Sequence, residues 1–265
     1  QLDEVKNNSE VSLLELDSAL REFAREQIYP HGKKMEQEET VPNDLVRSMA
    51  EIGAFGLSIP ERYGGIGFGV TGASLVALHF AYGDMGSSLV PIATESLAGG
   101  AILSGGDDDQ KDYFLRRIAS GELFGCFGLT EDVGSSFSGH MKSKAVKKGD
   151  RWVINPESPV SKKFITEAER ADFCVVYAKD ATEGSQTNGQ ILAFIVPNAG
   201  KSDNPLFAIS SSGYNVVGKE NKMGLRNSAT CEITVENVEV PEMWLLGIKN
   251  GTPALENAWR TLEYS

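Results

Sequence analysis

The period of the apolar residues changes near residue 122, and that change restricts the chain to folds that keep helices and strands in separate blocks. Before it, Leu13, Leu16, Leu20, Phe23 and Ala24 recur at three- and four-residue steps, the stripe of an amphipathic helix. Pro30 is expected to stop this helix, because the residue before a proline disfavours helical backbone. Asn43, behind Pro42, is a candidate N-cap for a second helix through Leu45, Met49 and Ile52. The stretch 59–69, IPERYGGIGFG, is read as a loop. Further helices are expected at about 72–82, 89–103 and 108–120, the last with three aspartates at its positive end.

Residues 123–240 read as strands. Segments 144–146 and 151–154 flank Lys148-Gly149-Asp150, a hairpin turn, and 173–178, 191–197 and 231–238 are rich in β-branched residues. The polar run 179–190 reads as a loop. After Pro241, the positions of Leu255, Ala258, Trp259 and Leu262 return to helical spacing, with no stop signal before Ser265. The expected class is therefore α+β: an all-α domain at 1–122, an antiparallel β-barrel domain at 123–240, and at 241–265 the first helix of a truncated C-terminal helical bundle.

Charge and composition remove several function classes. A net charge of −12 argues against non-specific nucleic-acid binding, which needs cationic side chains on phosphates. No apolar run nears the roughly 20 residues that span a bilayer, and QLDEVKNNSE lacks the basic and apolar regions of a secretory signal. Cys126, Cys174 and Cys231 are odd in number and widely spaced, which reads as reduced thiols in a cytoplasm-like compartment. The alternative is the mitochondrial matrix, if a transit peptide has been removed. The three histidines have no partners at zinc spacing, so no metal site is expected. GIGFGVTG follows no strand, so it is not a dinucleotide fingerprint.

Three segments carry candidate chemistry. FGLTEDVGSS, from Phe127 to Ser136, is a hydroxyl-rich turn whose N–H and O–H groups can face a polar ligand. KKFIT, from Lys162 to Thr166, sets an aromatic and a hydroxyl two apart, on one face of a strand. MGLRNS, from Met223 to Ser228, joins a glycine turn to a lone arginine. Taken singly, the first reads more readily as a connecting loop, the second equally as a core aromatic beside an edge threonine, and the third has a hairpin loop as its plain reading.

In this order and spacing, the three segments resemble the acyl-CoA dehydrogenase family over essentially the whole chain. FAREQIYPHGKKMEQEETVPNDLVRSMAEIGAFGLSIPERYGGIGFG is similar to that family's helical N-terminal domain. DQKDYFLRRIASGELFGCFGLTEDVGSS is similar to its helix-to-barrel junction, and GKENKMGLRNSATCEITVENVEVPEMWLLG to its closing strands. The resemblance implies an FAD-dependent enzyme of fatty acid metabolism that dehydrogenates an acyl thioester between its α and β carbons, the thioester being carried on CoA or a carrier protein. It also implies an electron-transfer acceptor as partner and a homodimer or homotetramer. Cofactor contacts fall to Phe127, Leu129, Thr130, Gly134, Ser135, Phe164, Ile165 and Thr166, with Ser135 and Ser136 also near substrate. The family's base is a glutamate, expected beyond residue 265 or on the last helix. There Ser265 takes the matching position, and Glu263 sits about 200° away around the helix. A flavin monooxygenase or oxidase on the same scaffold, or a non-catalytic partner subunit, are the alternatives. Two departures flank the flavin-facing segments: the loop 131–135 is one residue shorter than the family pattern, and 155–163 is about four longer.

Overall fold

The computed structural model describes residues 13–134, 140–198, 213–247, 258, 261 and 262. Helix α1 (Leu13–Phe23) buries Leu16 and Leu20, as its stripe requires. Pro30 does not end the helical path. The backbone widens into a π-helix over Ala24–Ile28, tightens into a 3₁₀ turn over Tyr29–His31, and continues as α2 (Gly32–Glu38). Pro30 lies in the first turn of the 3₁₀ segment, a position where a missing N–H is tolerated. Helix α3 (Asn43–Glu51) has Pro42 as its cap. Asn43 is its first helical residue, and its side chain accepts from Arg170 Nη1 at 2.5 Å instead of capping.

Helix α4 (Gly69–Gly83) packs on α1 through Phe23 and Phe80, whose ring centroids are 5.4 Å apart, and through His79 and Asp17 at 2.7 Å. Between them runs the loop 56–68, which folds back on itself at Gly65. A methyl group there would stand 2.0 Å from the Ile59 carbonyl oxygen and 2.7 Å from that of Gly56. Gly65→Ala is expected to cost about 2 kcal/mol in urea unfolding, because backbone rather than a flexible side chain must move.

Helices α5 (Met85–Pro91) and α6 (Gly100–Gly105) are joined without a break by a π-helix over Ile92–Gly99. The widening begins at Pro91, whose ring crowds the preceding turn. Helix α7 (Asp108–Ala119) opens with a capping box. Gln110 N donates to Asp107 Oδ1 and Asp107 N to Gln110 Oε1, both at 2.9 Å.

The described residues that follow contain ten strands: β1 (Gly125–Gly128), β2 (Lys144–Lys148), β3 (Arg151–Ile154), β4 (Val160–Thr166), β5 (Phe173–Asp180), β6 (Ile191–Pro197), β7 (Tyr214–Lys219), β8 (Thr230–Val235), β9 (Val238–Pro241) and β10 (Leu245–Leu246). They do not close into one antiparallel barrel. Seven form a curled sheet in the order β10-β6-β5-β2-β3-β9 with β1 beside β5, and β4-β8-β7 form a second sheet. Both β1 and β2 run parallel to β5. That explains why FCVVYAKD reads as a continuous apolar run: β5 is buried along nearly its whole length. The run expected at 231–238 is two strands, because Asn237 turns the chain with φ 48°. The polar loop after β5 is tied down by Asp180, which accepts from Ser185 Oγ, Thr187 Oγ1 and Thr182 N at 2.6 to 2.8 Å.

Two cores result. One joins α1 to α5 through Leu20, Ile28, Met49, Phe55, Phe80 and Val90. The other packs Ala98, Ile102, Phe114, Leu115 and Ile118 against residues of both sheets, including Phe173, Val175 and Ile233. Of the final helix, Ala258, Thr261 and Leu262 are described and are helical; Leu255, Trp259, Glu263 and Ser265 lie outside the described residues.

Candidate functional site

Strand β1 ends at Gly128, and the chain leaves the sheet as Leu129-Thr130-Glu131. Strand β4 approaches this segment from the smaller sheet and carries a bulge. Its pairing with β8 is regular up to Lys162 and resumes only at Ile165. Phe164 sits in the bulge with φ 60°, a left-handed backbone that is uncommon for an aromatic residue. The bulge also breaks the simple alternation that would place Lys162, Phe164 and Thr166 on one face. Lys162 and Ile165 turn inward, and Phe164 is left 64% exposed. A bulge is a means of re-aiming one side chain, and here it points a large aromatic ring out of the core.

The two segments meet at a cleft of about 180 Å³ lined by Phe127, Leu129, Thr130, Phe164, Ile165 and Thr166, with Leu97 and Leu262 across from them. Six of the eight cofactor contacts expected from the sequence are thus gathered in one place. Gly134 has φ 83° with open space around it, and it does not line the cleft. Ser135 and Ser136 lie outside the described residues. Phe127 packs on the tilted ring of Tyr177, with centroids 5.1 Å apart. The hydroxyls of Thr130 and Thr166 are half-buried and make no hydrogen bond to another described residue. One exposed aromatic face beside two uncommitted hydroxyls suits a planar, polar-edged ring such as a flavin.

Behind the cleft lies a buried ion pair that strand periodicity gave no reason to expect. Lys162 is fully buried, and its Nζ donates to Glu131 Oε1 at 2.9 Å and to the Tyr177 carbonyl at 2.7 Å. The Leu129 carbonyl oxygen is 3.5 Å away. Glu131 also accepts from the backbone N–H of Lys142 at 2.6 Å and of Ser143 at 3.0 Å. Burial alone would raise the Glu131 carboxyl. The Lys162 charge and these hydrogen bonds outweigh it and hold the group below the usual carboxylate value. Burial draws the Lys162 ammonium below an ordinary lysine, against the pull of Glu131.

A second, mostly apolar cavity of about 300 Å³ lies on the other side of the Ile92–Gly105 helical rod, lined by Ile59, Val70, Gly99, Leu103 and Thr261. Its one carboxyl, Glu95, is 2% exposed and accepts from Ser58 N at 2.6 Å. Burial pushes it up to about 7 despite the Ser58 and Ile59 hydrogen bonds. The third segment singled out in the sequence forms a loop that is exposed at Met223, Gly224 and Arg226 and buried at Asn227 and Ser228. Arg226 there pairs with Glu39, and Asn227 Nδ2 donates to Asp84 at 2.6 Å.

Residues 12–122 match the family model "Acyl-CoA dehydrogenase, N-terminal domain" and residues 126–238 match "Acyl-CoA dehydrogenase, middle domain". The chain belongs to the acyl-CoA dehydrogenase family. It is 32% identical over 228 residues to an acyl-CoA dehydrogenase of Bacillus subtilis, covering 86% of this chain and 56% of that protein. Identity is also 32%, over 258 residues, to the caffeyl-CoA reductase-Etf complex subunit CarC of Acetobacterium woodii, with coverage of 97% and 62%. A glutaryl-CoA dehydrogenase from Mycobacterium smegmatis, solved in complex with FADH2, superposes with a TM-score of 0.79 at 25% identity. That match covers 96% of this chain and 60% of the other. The chain thus spans a little over half the length of the relatives it matches. The two family matches follow the order of the helical and strand blocks. No described helix is long and apolar enough to cross a membrane.

Proposed function

We propose that the protein of which this chain is part is an FAD-dependent acyl-CoA dehydrogenase and that the cleft at Phe164 receives the flavin ring. The bulge carries this reading: it holds Phe164 at positive φ and 64% exposed, beside two hydroxyls without partners. Such strain is found where an exposed aromatic has work to do at a site. Support also comes from the relatives' names, one of them in complex with FADH2 and another a subunit of an Etf complex.

FAD, when bound, supplies the acceptor for the hydride that leaves the β-carbon of the thioester. This chain's share is to bind and orient. Phe164 and Leu129 cover apolar ring surface, while Thr130 and Thr166 offer donors to the ring edge, pre-aimed where reduction places negative charge. Leu97 and Leu262 close the far wall and keep water from the reacting carbons. An acyl-CoA thioester, an electron-transfer flavoprotein as acceptor, and assembly into a dimer or tetramer complete the proposal. Three buried free thiols suit a reducing compartment, cytoplasm or mitochondrial matrix.

The test is anaerobic titration of the full-length protein with acyl-CoA thioesters of increasing length. Bleaching of the yellow flavin band by one of them supports the reading. A flavin-free protein, or a bound flavin that no thioester bleaches, overturns it.

Phe164 gives a sharper expectation. Phe164→Gly removes a side chain that contributes little to the core and relieves the left-handed strain. Apoprotein stability should rise by about 1 kcal/mol, while flavin retention on a desalting column falls. A variant that loses stability and keeps its flavin would count against a flavin-facing role.

A further inference from the structure

Both backbone segments that line the cleft have left their sheet ladders. Pairing of β1 with β5 stops at Gly128, one residue before Leu129 and Thr130. Pairing of β4 with β8 is broken across Lys163 and Phe164. Chain released in this way normally gains freedom, since ladder bonds are what fix a strand's position. Here the two released segments are fastened to each other. Lys163 N donates to the Thr130 carbonyl at 2.9 Å. One residue earlier, the Lys162 ammonium spends its three protons on the Glu131 carboxylate and the Tyr177 and Leu129 carbonyls. A single cation therefore ties the end of β1, the start of the β4 bulge and the middle of β5. Through the N–H groups of Lys142 and Ser143, Glu131 extends the tie to the entrance of β2.

A buried ion pair is a poor source of net stability, because well-packed apolar side chains of similar volume serve as well or better. Apolar side chains cannot, however, hold two carbonyl groups at set positions with directional bonds. Of the residues so held, Leu129 lines the cleft and Tyr177 packs its ring on Phe127 in the cleft wall, while Lys162 itself stands two residues before Phe164.

We propose that Lys162, paired with Glu131, is a positioning residue for the flavin cleft: the pair sets the spacing between the Leu129-Thr130 segment and the Phe164 bulge. The proposal rests on the flavin reading of that cleft. Its consequence is that neutralising both partners together leaves a folded protein with a poorly shaped cofactor site.

The experiment compares the full-length wild type with the double variant Lys162→Met/Glu131→Gln, in which neither charge is left unpaired. Val238→Ala serves as control; Val238 is fully buried on β9, away from the cleft. FAD dissociation constants, the fine structure of the flavin absorption band and thermal unfolding are measured for all three. The expected result is a double variant that melts within a few degrees of wild type, binds FAD at least tenfold more weakly, and has a flavin band smoothed towards that of free flavin. The control should lose stability and keep its FAD affinity within twofold. Wild-type affinity and spectrum in the double variant overturn the proposal and leave the flavin reading intact. A double variant recovered only unfolded makes the pair a requirement of the fold, and the proposal falls. Wild-type protein that binds no FAD overturns the flavin reading, and the proposal with it.

Discussion

Replacing Lys162 alone by Met should cost about 3 to 5 kcal/mol, the loss expected when one partner of a buried pair is removed. Glu131, at 3% exposure, would keep its two backbone donors but lose its counter-charge. The Tyr177 carbonyl would lose a 2.7 Å bond at a buried position. At the size of this chain, a loss of that order lowers the melting temperature by about 10 °C. Thermal and urea unfolding of the single and double variants check this together. Neutralising Glu131 as well should recover most of the loss, because the cost lies in the unpaired charge and not in the missing lysine. If the single variant melts with wild type, the pair is not buried in solution as it is here.

The second large effect concerns pH. Glu95 keeps its proton up to about 7 in the folded protein, against 4.5 for an unperturbed glutamate. Below pH 4.5 both states hold the proton, and the group leaves stability unchanged. Between 4.5 and 7 the unfolded chain releases its proton while the folded protein retains it, so stability falls as pH rises. The accumulated loss above pH 7 is about 3 kcal/mol, at about 1.4 kcal/mol per pH unit. Glu95→Gln removes that slope and still offers an oxygen to Ser58 N. The variant should therefore match wild type at pH 4.5 and exceed it by up to about 3 kcal/mol at pH 8, in denaturant unfolding at each pH. Asp17, Glu39, Glu131, Asp180 and Glu232 have the opposite sense, since each carboxyl is held low by its partners and gives up stability on acidification. They are common to both proteins, so the difference between the two curves isolates Glu95. A difference that does not change with pH would mean that Glu95 is ionised in the fold.

Much of the fold was legible because local chemistry and tertiary packing agree. The stripe of α1, the acidic start of α7 and the Gly149-Asp150 hairpin depend on neighbours close in sequence, and they form where the pattern places them. What misled was non-local. Pro30 reads as a stop, yet the chain changes helix type around it because Ile28 and Met35 on either side are both buried in one core. The strands read as a closed barrel, since alternation reports which face is buried and not which strand is the neighbour. The parallel pairing of β1 and β2 with β5 leaves no trace in period. At the cleft, Thr130, Phe164 and Thr166 were singled out through the family resemblance, and the fold lines one cleft with all three. Lys162 was not, because a lysine in a strand next to another lysine reads as a solvated edge. Only the bulge, set by pairing with a strand some 65 residues later, turns it inward. Glu95 was hidden similarly, in a helix whose every face is covered.

The helices after residue 97 share their core with the sheets, whereas those before residue 91 pack among themselves. For folding, the unit that forms or melts together is then not the helical block. Ala98 to Leu123 would join the strands as one cooperative body, its formation waiting on long-range pairings such as that of β1 with β5. The earlier helices, closed mostly by contacts near in sequence, would assemble sooner and could open by themselves. Amide hydrogen exchange should accordingly divide the helices into two protection classes, with the step falling inside the Ile92–Gly99 π-helix.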